Sequence, residues 1–201
     1  MPTDAKAIAT WERASHAYSH YQSYLAAQTQ RHSLSFTDLV YVKNFKGGST
    51  VIGEPIESLP AKLSRYSDSL ARLGRTQDFA QTLPSLSSEA YARVKNEIIG
   101  FVGLATDAST KISGFGVSFS SALLHFHFPA LVPILDRRAL NGAGIKGIKT
   151  DSQGQVKDLI SFYPQLLDYS RQKLRDNPAL SMRTLDRSLF IEALASEVFR
   201  K

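Results

Sequence analysis

The residue with the clearest capacity for chemistry is Asp136, which follows Pro129-Ala130-Leu131-Val132-Pro133-Ile134-Leu135 and precedes Arg137-Arg138. The two prolines break a helix and the residues beyond suit a new one, so the acid falls at a helix start. The helix dipole favours its charge there, which keeps it a carboxylate at neutral pH. A fixed carboxylate can stabilise a cationic transition state or position a water for attack. Upstream, Gly114 and Gly116 flank Phe115 in a G-x-G turn. Glycine there permits positive φ and lets the backbone come close to another molecule. Residues 118–128 are apolar around most of a helical circumference, the pattern of a buried helix. The unpaired amides at the start of such a helix make a natural anion site.

The order of these parts resembles the helix-hairpin-helix DNA glycosylase superfamily. Its hairpin reads apolar-Pro-Gly-apolar-Gly, and Ile112-Ser113-Gly114-Phe115-Gly116 matches it with Ser113 in place of the proline and Phe115 in place of a smaller aliphatic residue. In bifunctional members a catalytic lysine sits two residues after the second glycine, with the acid 18 or 19 residues further on. Ser118 holds the lysine position here, and Asp136 lies 18 residues beyond it. The resemblance implies a mainly α, helix-hairpin-helix glycosylase-like fold, as a lysine-less monofunctional member or an 8-oxoguanine-glycosylase-fold-like one. It implies base excision by hydrolysis of the base–sugar bond without a Schiff base, with Asp136 as the catalytic carboxylate. It also implies that the amides of Gly114, Gly116, Ser118 and Phe119 grip a phosphate of double-stranded DNA. Backbone carbonyls of Thr110, Ile112 and Phe115 would hold a monovalent cation that shapes the turn. The alternative is a non-catalytic DNA-binding or scaffold protein that keeps the fold, with Asp136 only capping a helix.

Other residues also carry chemistry-capable side chains. Lys43-Asn44-Phe45-Lys46-Gly47-Gly48 is either an exposed turn with one anchoring aromatic or a nucleic-acid contact, with Lys43 and Lys46 on phosphate and Phe45 against a base. The glycine-rich run 141–149, containing Lys146, is a loose connection or a DNA-backbone contact; it lacks the order of a nucleotide-binding P-loop. A base leaving the stack needs an aromatic wall, for which Tyr41, Phe45 and Phe162 are candidates. His16 and His20 stand four apart without a third metal ligand, and His125 and His127 read as buried histidines fixing the loop that presents Asp136. Ser120 and Ser121 lack the context of a nucleophile. Asp186, beside Arg183 and Arg187, reads as a salt bridge.

The chain that must position these side chains has 201 residues, 43% of them hydrophobic and 21% charged, enough to bury a core. Lysine and arginine number 24 against 18 acids, a net charge of +6 that favours polyanions. The absence of cysteine excludes disulfides, a thiolate nucleophile and an iron–sulfur cluster. No apolar run reaches the roughly 18 residues of a membrane span and no secretory pattern opens the chain, so the cytoplasm is the expected location. Apolar periodicity predicts helices over 4–30, 61–73, 89–105, 155–174 and 181–199. Leu39-Val40-Tyr41-Val42 and Thr50-Val51-Ile52 predict a small β-hairpin over 39–52. The expected organisation is an N-terminal segment over 1–83, a central helix-hairpin-helix and acid loop over 84–150, and C-terminal helices over 151–201 packing on the N-terminal segment.

Overall fold

A computed structural model describes residues 2–47 and 51–198. Among these the regular structure is helical: α1 (Pro2–Ala27), α2 (Phe36–Lys46), α3 (Leu59–Gly74), α4 (Ser88–Gly103), α5 (Val117–His127), α6 (Arg137–Gly142), α7 (Tyr163–Asp176) and α8 (Met182–Val198). Short 3-10 turns cover Gln77–Ala80, Leu83–Ser85 and Leu159–Phe162. Among the described residues β-type pairing is confined to isolated bridges, Ile112 with Phe115 and Thr150 with Val156. No helix among the described residues is long and apolar enough to cross a membrane.

The predicted β-hairpin does not form among the described residues. Leu39-Val40-Tyr41-Val42 lies within α2, whose buried Leu39, Val42 and Phe45 recur at three-residue spacing. The helix starts because Ser35 donates its amide and hydroxyl to Asp38 Oδ2 at 2.7 and 2.8 Å, closing the first turn. Asp38, itself buried, also accepts the Tyr21 hydroxyl at 2.9 Å, which ties α2 to α1. Thr50 lies outside the described residues; Val51 and Ile52 pair with no strand, and Gly53 donates its amide to the Ser113 carbonyl at 3.0 Å.

Elsewhere local chemistry and helix ends agree. Ser87 caps α4 by accepting the Ala90 amide at 3.1 Å. Pro164 lies in the first turn of α7, where its missing N–H costs nothing, so it opens the helix and does not kink it. At the centre is α5, with Ser120 through His127 all buried. Helices α2 and α4 pack against it, α1 packs on α2 and α8, and α6 packs on α8. The α6–α8 contact is backbone-close: a Cβ on Gly142 would fall 2.2 Å from the Leu189 carbonyl oxygen. Tyr18, Tyr21, Phe45 and Phe126 form an aromatic joint between α1, α2 and α5, with Phe126 stacked on Tyr18 at 4.9 Å between centroids and edge-on to Phe45 at 5.1 Å.

Candidate functional site

Three buried side chains fix the loop that carries the acid. His125 donates from Nδ1 to the Val132 carbonyl at 2.6 Å, and burial pushes its pKa down to about 4, so the ring is neutral. Ser121 Oγ accepts the Leu135 amide at 3.0 Å, and Tyr163 donates its hydroxyl to the Pro133 carbonyl at 2.7 Å. Carbonyls and amides of a buried loop need such partners. Here they set the backbone immediately before Asp136.

Asp136 is the N-cap of α6, with extended backbone and Oδ1 accepting the Ala139 amide at 2.8 Å. Its other oxygen is held by the Lys46 ammonium, 90 positions away in sequence. The two side chains are 13% and 28% exposed. Burial pushes the Asp136 carboxyl up, but Lys46, the Ala139 amide and the Arg138 guanidinium outweigh it and hold the group below its ordinary value. It is an ionised carboxylate at neutral pH.

Asp136 and Lys46 line a cavity of about 480 Å³ between α1, α2, α6 and α8. Its aromatic wall is Trp11, Phe45 and Phe190, with the Trp11 and Phe190 rings 5.6 Å apart. Arg183 backs this wall: its guanidinium lies 4.0 Å from the Trp11 ring centroid and 4.5 Å from that of Tyr18. Arg138 stands 4.9 Å over Phe190. Asp186 also lines the cavity, 15% exposed, with Oδ2 accepting Arg183 Nη1 at 2.7 Å. Burial pushes its carboxyl up to about 6; the Asp136 charge adds to the rise, while Arg183 and Lys46 oppose it. Two carboxyl groups of one cavity are thus driven apart in acidity, the arrangement that separates an acid from a base. Exposed His16 and His20 face the same cavity from α1, and among the described residues no group of three histidine, cysteine or acidic side chains could hold a metal.

The hairpin forms a second locality. Gly114 has φ +80°, and the place of its missing Cβ is 1.9 Å from the Val51 carbonyl oxygen. The close approach that glycine permits is therefore made by the chain's own segment. Glu54 reinforces it: its carboxylate accepts the Ser113 amide at 2.9 Å and pairs with Lys62 at 2.5 Å. Gly116 differs, with nothing within 4 Å of its Cβ direction, and it precedes the open amides of α5. Gly114, Gly116, Ser118 and Phe119 line one depression of about 730 Å³, together with Lys62 and Lys111. Phe115 points inward, stacked on Phe119 at 5.6 Å and edge-on to Tyr66 at 6.5 Å.

The other expected residues are distributed. The Ile112 carbonyl accepts the Phe115 amide at 2.9 Å within the turn, and Thr110 is buried with its hydroxyl on the Leu104 carbonyl at 2.8 Å. Lys43 is half-buried on α2, Lys146 is exposed in the loop after α6, and neither lines the Asp136 cavity. Of the aromatic candidates only Phe45 does; Tyr41 stacks on Tyr21 at 5.2 Å, and Phe162 closes a 3-10 turn. The expected salt bridge of Asp186 forms with Arg183, but nothing local in Trp11, Phe190 or Asp186 points to the cavity, since only the tertiary packing of α1 and α8 brings them to Asp136. No protein-family model, curated protein or solved structure matches the chain.

Proposed function

We propose that the protein binds double-stranded DNA and excises a damaged or modified base by hydrolysing its N-glycosidic bond, without lyase activity. The observation that carries this reading is Asp136: an ionised carboxylate, anchored by an amide and an ammonium, on the wall of an open cavity with an aromatic side. Cleavage of the base–sugar bond develops oxocarbenium character on the sugar, and a preorganised carboxylate stabilises that charge or aims a water at it. An extruded base needs a stacking surface, which Trp11 and Phe190 offer. The excess of 24 basic over 18 acidic residues and the open amides after Gly116 suit a phosphate backbone. Lys46 is a poor candidate for a Schiff-base nucleophile, because its Nζ is engaged by the Asp136 carboxylate.

A second reading has one observation behind it: Asp136 caps α6 through Ala139, as a purely structural acid would. Asp136→Asn separates the two, since asparagine caps a helix as well as aspartate but carries no charge. The test is base release from duplexes carrying single damaged, mismatched or modified bases, followed by alkali to cleave abasic sites. Release by the wild type that Asp136→Asn loses establishes the glycosylase. Equal duplex binding by both proteins with no release assigns a DNA-binding module.

A further inference from the structure

We propose that Asp186 is the proton donor of this site: it brings from α8 a second carboxyl group to the cavity of Asp136, one oxygen fixed by Arg183 and the other without a hydrogen-bond partner among the described residues. The inference rests on the glycosylase reading and names the substrate class within it. A base that is uncharged in DNA is a poor leaving group and needs a proton as it departs, whereas a cationic alkylated base leaves without one. A site with its own acid is a site for uncharged modified bases.

The geometry is built by the contact of α6 with α8. Gly142, without a side chain, lets its backbone reach that of Leu189, and Asp186 stands three residues before Leu189 on α8. That brings the cap of α6 and the first half of α8 to one cavity. Arg183 is in turn clamped over Trp11 and Tyr18, so it orients Asp186 through Oδ2 and leaves Oδ1 for a ligand. The groups facing Asp186 are Arg183 on its own helix, Asp136 and Arg138 from α6 and its cap, Lys46 from α2 and Tyr18 from α1. Exposed Arg13, His16 and His20 line the same cavity from α1. Burial and the Asp136 charge together raise the carboxyl to about 6, which keeps a proton available in mildly acidic solution.

The step balances simply. As the bond between C1′ and the base nitrogen breaks, its electron pair goes to the base, which takes the proton from Asp186. The positive charge that develops on the sugar faces the Asp136 carboxylate. Water then adds its oxygen to C1′ and loses a proton, which returns Asp186 to the acid form. One base and one abasic sugar result from one bond and one water.

The test is single-turnover release from pH 5 to 8, using duplexes with one uncharged base (uracil, hypoxanthine, 8-oxoguanine or N6-methyladenine) or one N7-methylguanine. Wild type, Asp186→Asn, Asp186→Glu and Asp136→Asn are compared, with affinity for a tetrahydrofuran abasic duplex as the check on folding. The expected result is wild-type release of an uncharged base that rises as pH falls through about 6. Asp186→Asn should lose it roughly a hundredfold or more, with partial recovery in Asp186→Glu. A wild-type profile that is flat with pH overturns the proposal without recourse to any variant. Undiminished release by Asp186→Asn beside an inactive Asp136→Asn overturns the inference alone and leaves the glycosylase standing. Release of N7-methylguanine only overturns the substrate class. No release of any base by the wild type removes the glycosylase reading, and the inference with it.

Discussion

Lys46, the last residue of α2, and Asp136, the cap of α6, form an ion pair that joins two parts of the chain 90 positions apart. With 13% and 28% of the side chains exposed, neither charge is fully hydrated, so each depends on the other. Lys46→Gln should cost about 1–3 kcal/mol at pH 7, less than a fully buried pair and more than a surface one. The pH dependence has a definite sign. A carboxyl held below its ordinary value contributes stability that is present above about pH 3.9 and lost as pH falls through the folded value. Urea titrations at pH 7 and pH 3 should show the variant's deficit shrinking in acid. Equal stability of the two proteins at pH 7 would refute the pair's role.

The two hairpin glycines should part company. Gly114→Ala places a Cβ against the Val51 carbonyl at φ +80°, so it meets both a backbone clash and left-handed strain. A loss of about 2–4 kcal/mol is expected, measured by thermal or urea unfolding. Gly116→Ala meets nothing within 4 Å and has an ordinary negative φ of −82°, so the fold should keep its stability. Its new methyl group does stand beside the open amides of α5. If those amides grip a phosphate, duplex affinity measured at low salt falls in this stable variant; unchanged affinity removes the hairpin from the DNA interface.

Much of this architecture was legible because its signals are local. Prolines at 129 and 133 end one helix and leave Asp136 to cap the next, and Ser87 announces α4. The β reading of Leu39-Val40-Tyr41-Val42 failed for an instructive reason. Ser35 and Asp38 form a capping box three residues apart, a helix-start signal present in the sequence, and it outweighed the strand preference of the valines once Tyr21 bound Asp38. The cavity was less legible. Trp11, Lys46, Asp186 and Phe190 reach Asp136 from three separate helices, and no spacing rule connects them. Glycine at 114 pointed to a close approach but not to its partner, which proved to be the chain's own Val51.

Glu54 makes the hairpin acid-sensitive. Lys62, the Ser58 hydroxyl and the Ser113 amide all favour its charged form and lower its pKa to about 2. Its contribution is therefore complete above about pH 4.3, the unfolded value, and is lost as pH falls through 2. Glu54→Gln should flatten the acid limb of the stability curve between those limits. At neutral pH the same variant should speed hydrogen exchange at the Ser113 amide while exchange in α8 stays at the wild-type rate. Unaltered exchange at Ser113 would mean that Glu54 does not clasp the turn.

At Gly142 two opposing effects meet. Within α6 an alanine would favour the helix by about 1 kcal/mol over glycine. Its Cβ, however, would fall 2.2 Å from the Leu189 carbonyl oxygen and 2.7 Å from the Leu189 Cα, both backbone atoms that cannot swing aside. The clash should win, so that Gly142→Ala loses about 1–3 kcal/mol net as α6 moves off α8. That movement has a second readout. Asp136 caps α6 and its charge helps to raise the Asp186 carboxyl, so retreat of α6 should bring Asp186 down from about 6 toward the ordinary carboxylate range. A carbon-detected titration of the carboxyl groups would follow it. Destabilisation with an unmoved Asp186 would show that the two acids are set by something other than the α6–α8 contact, whereas both changes together would tie the spacing of the acids to one absent methyl group.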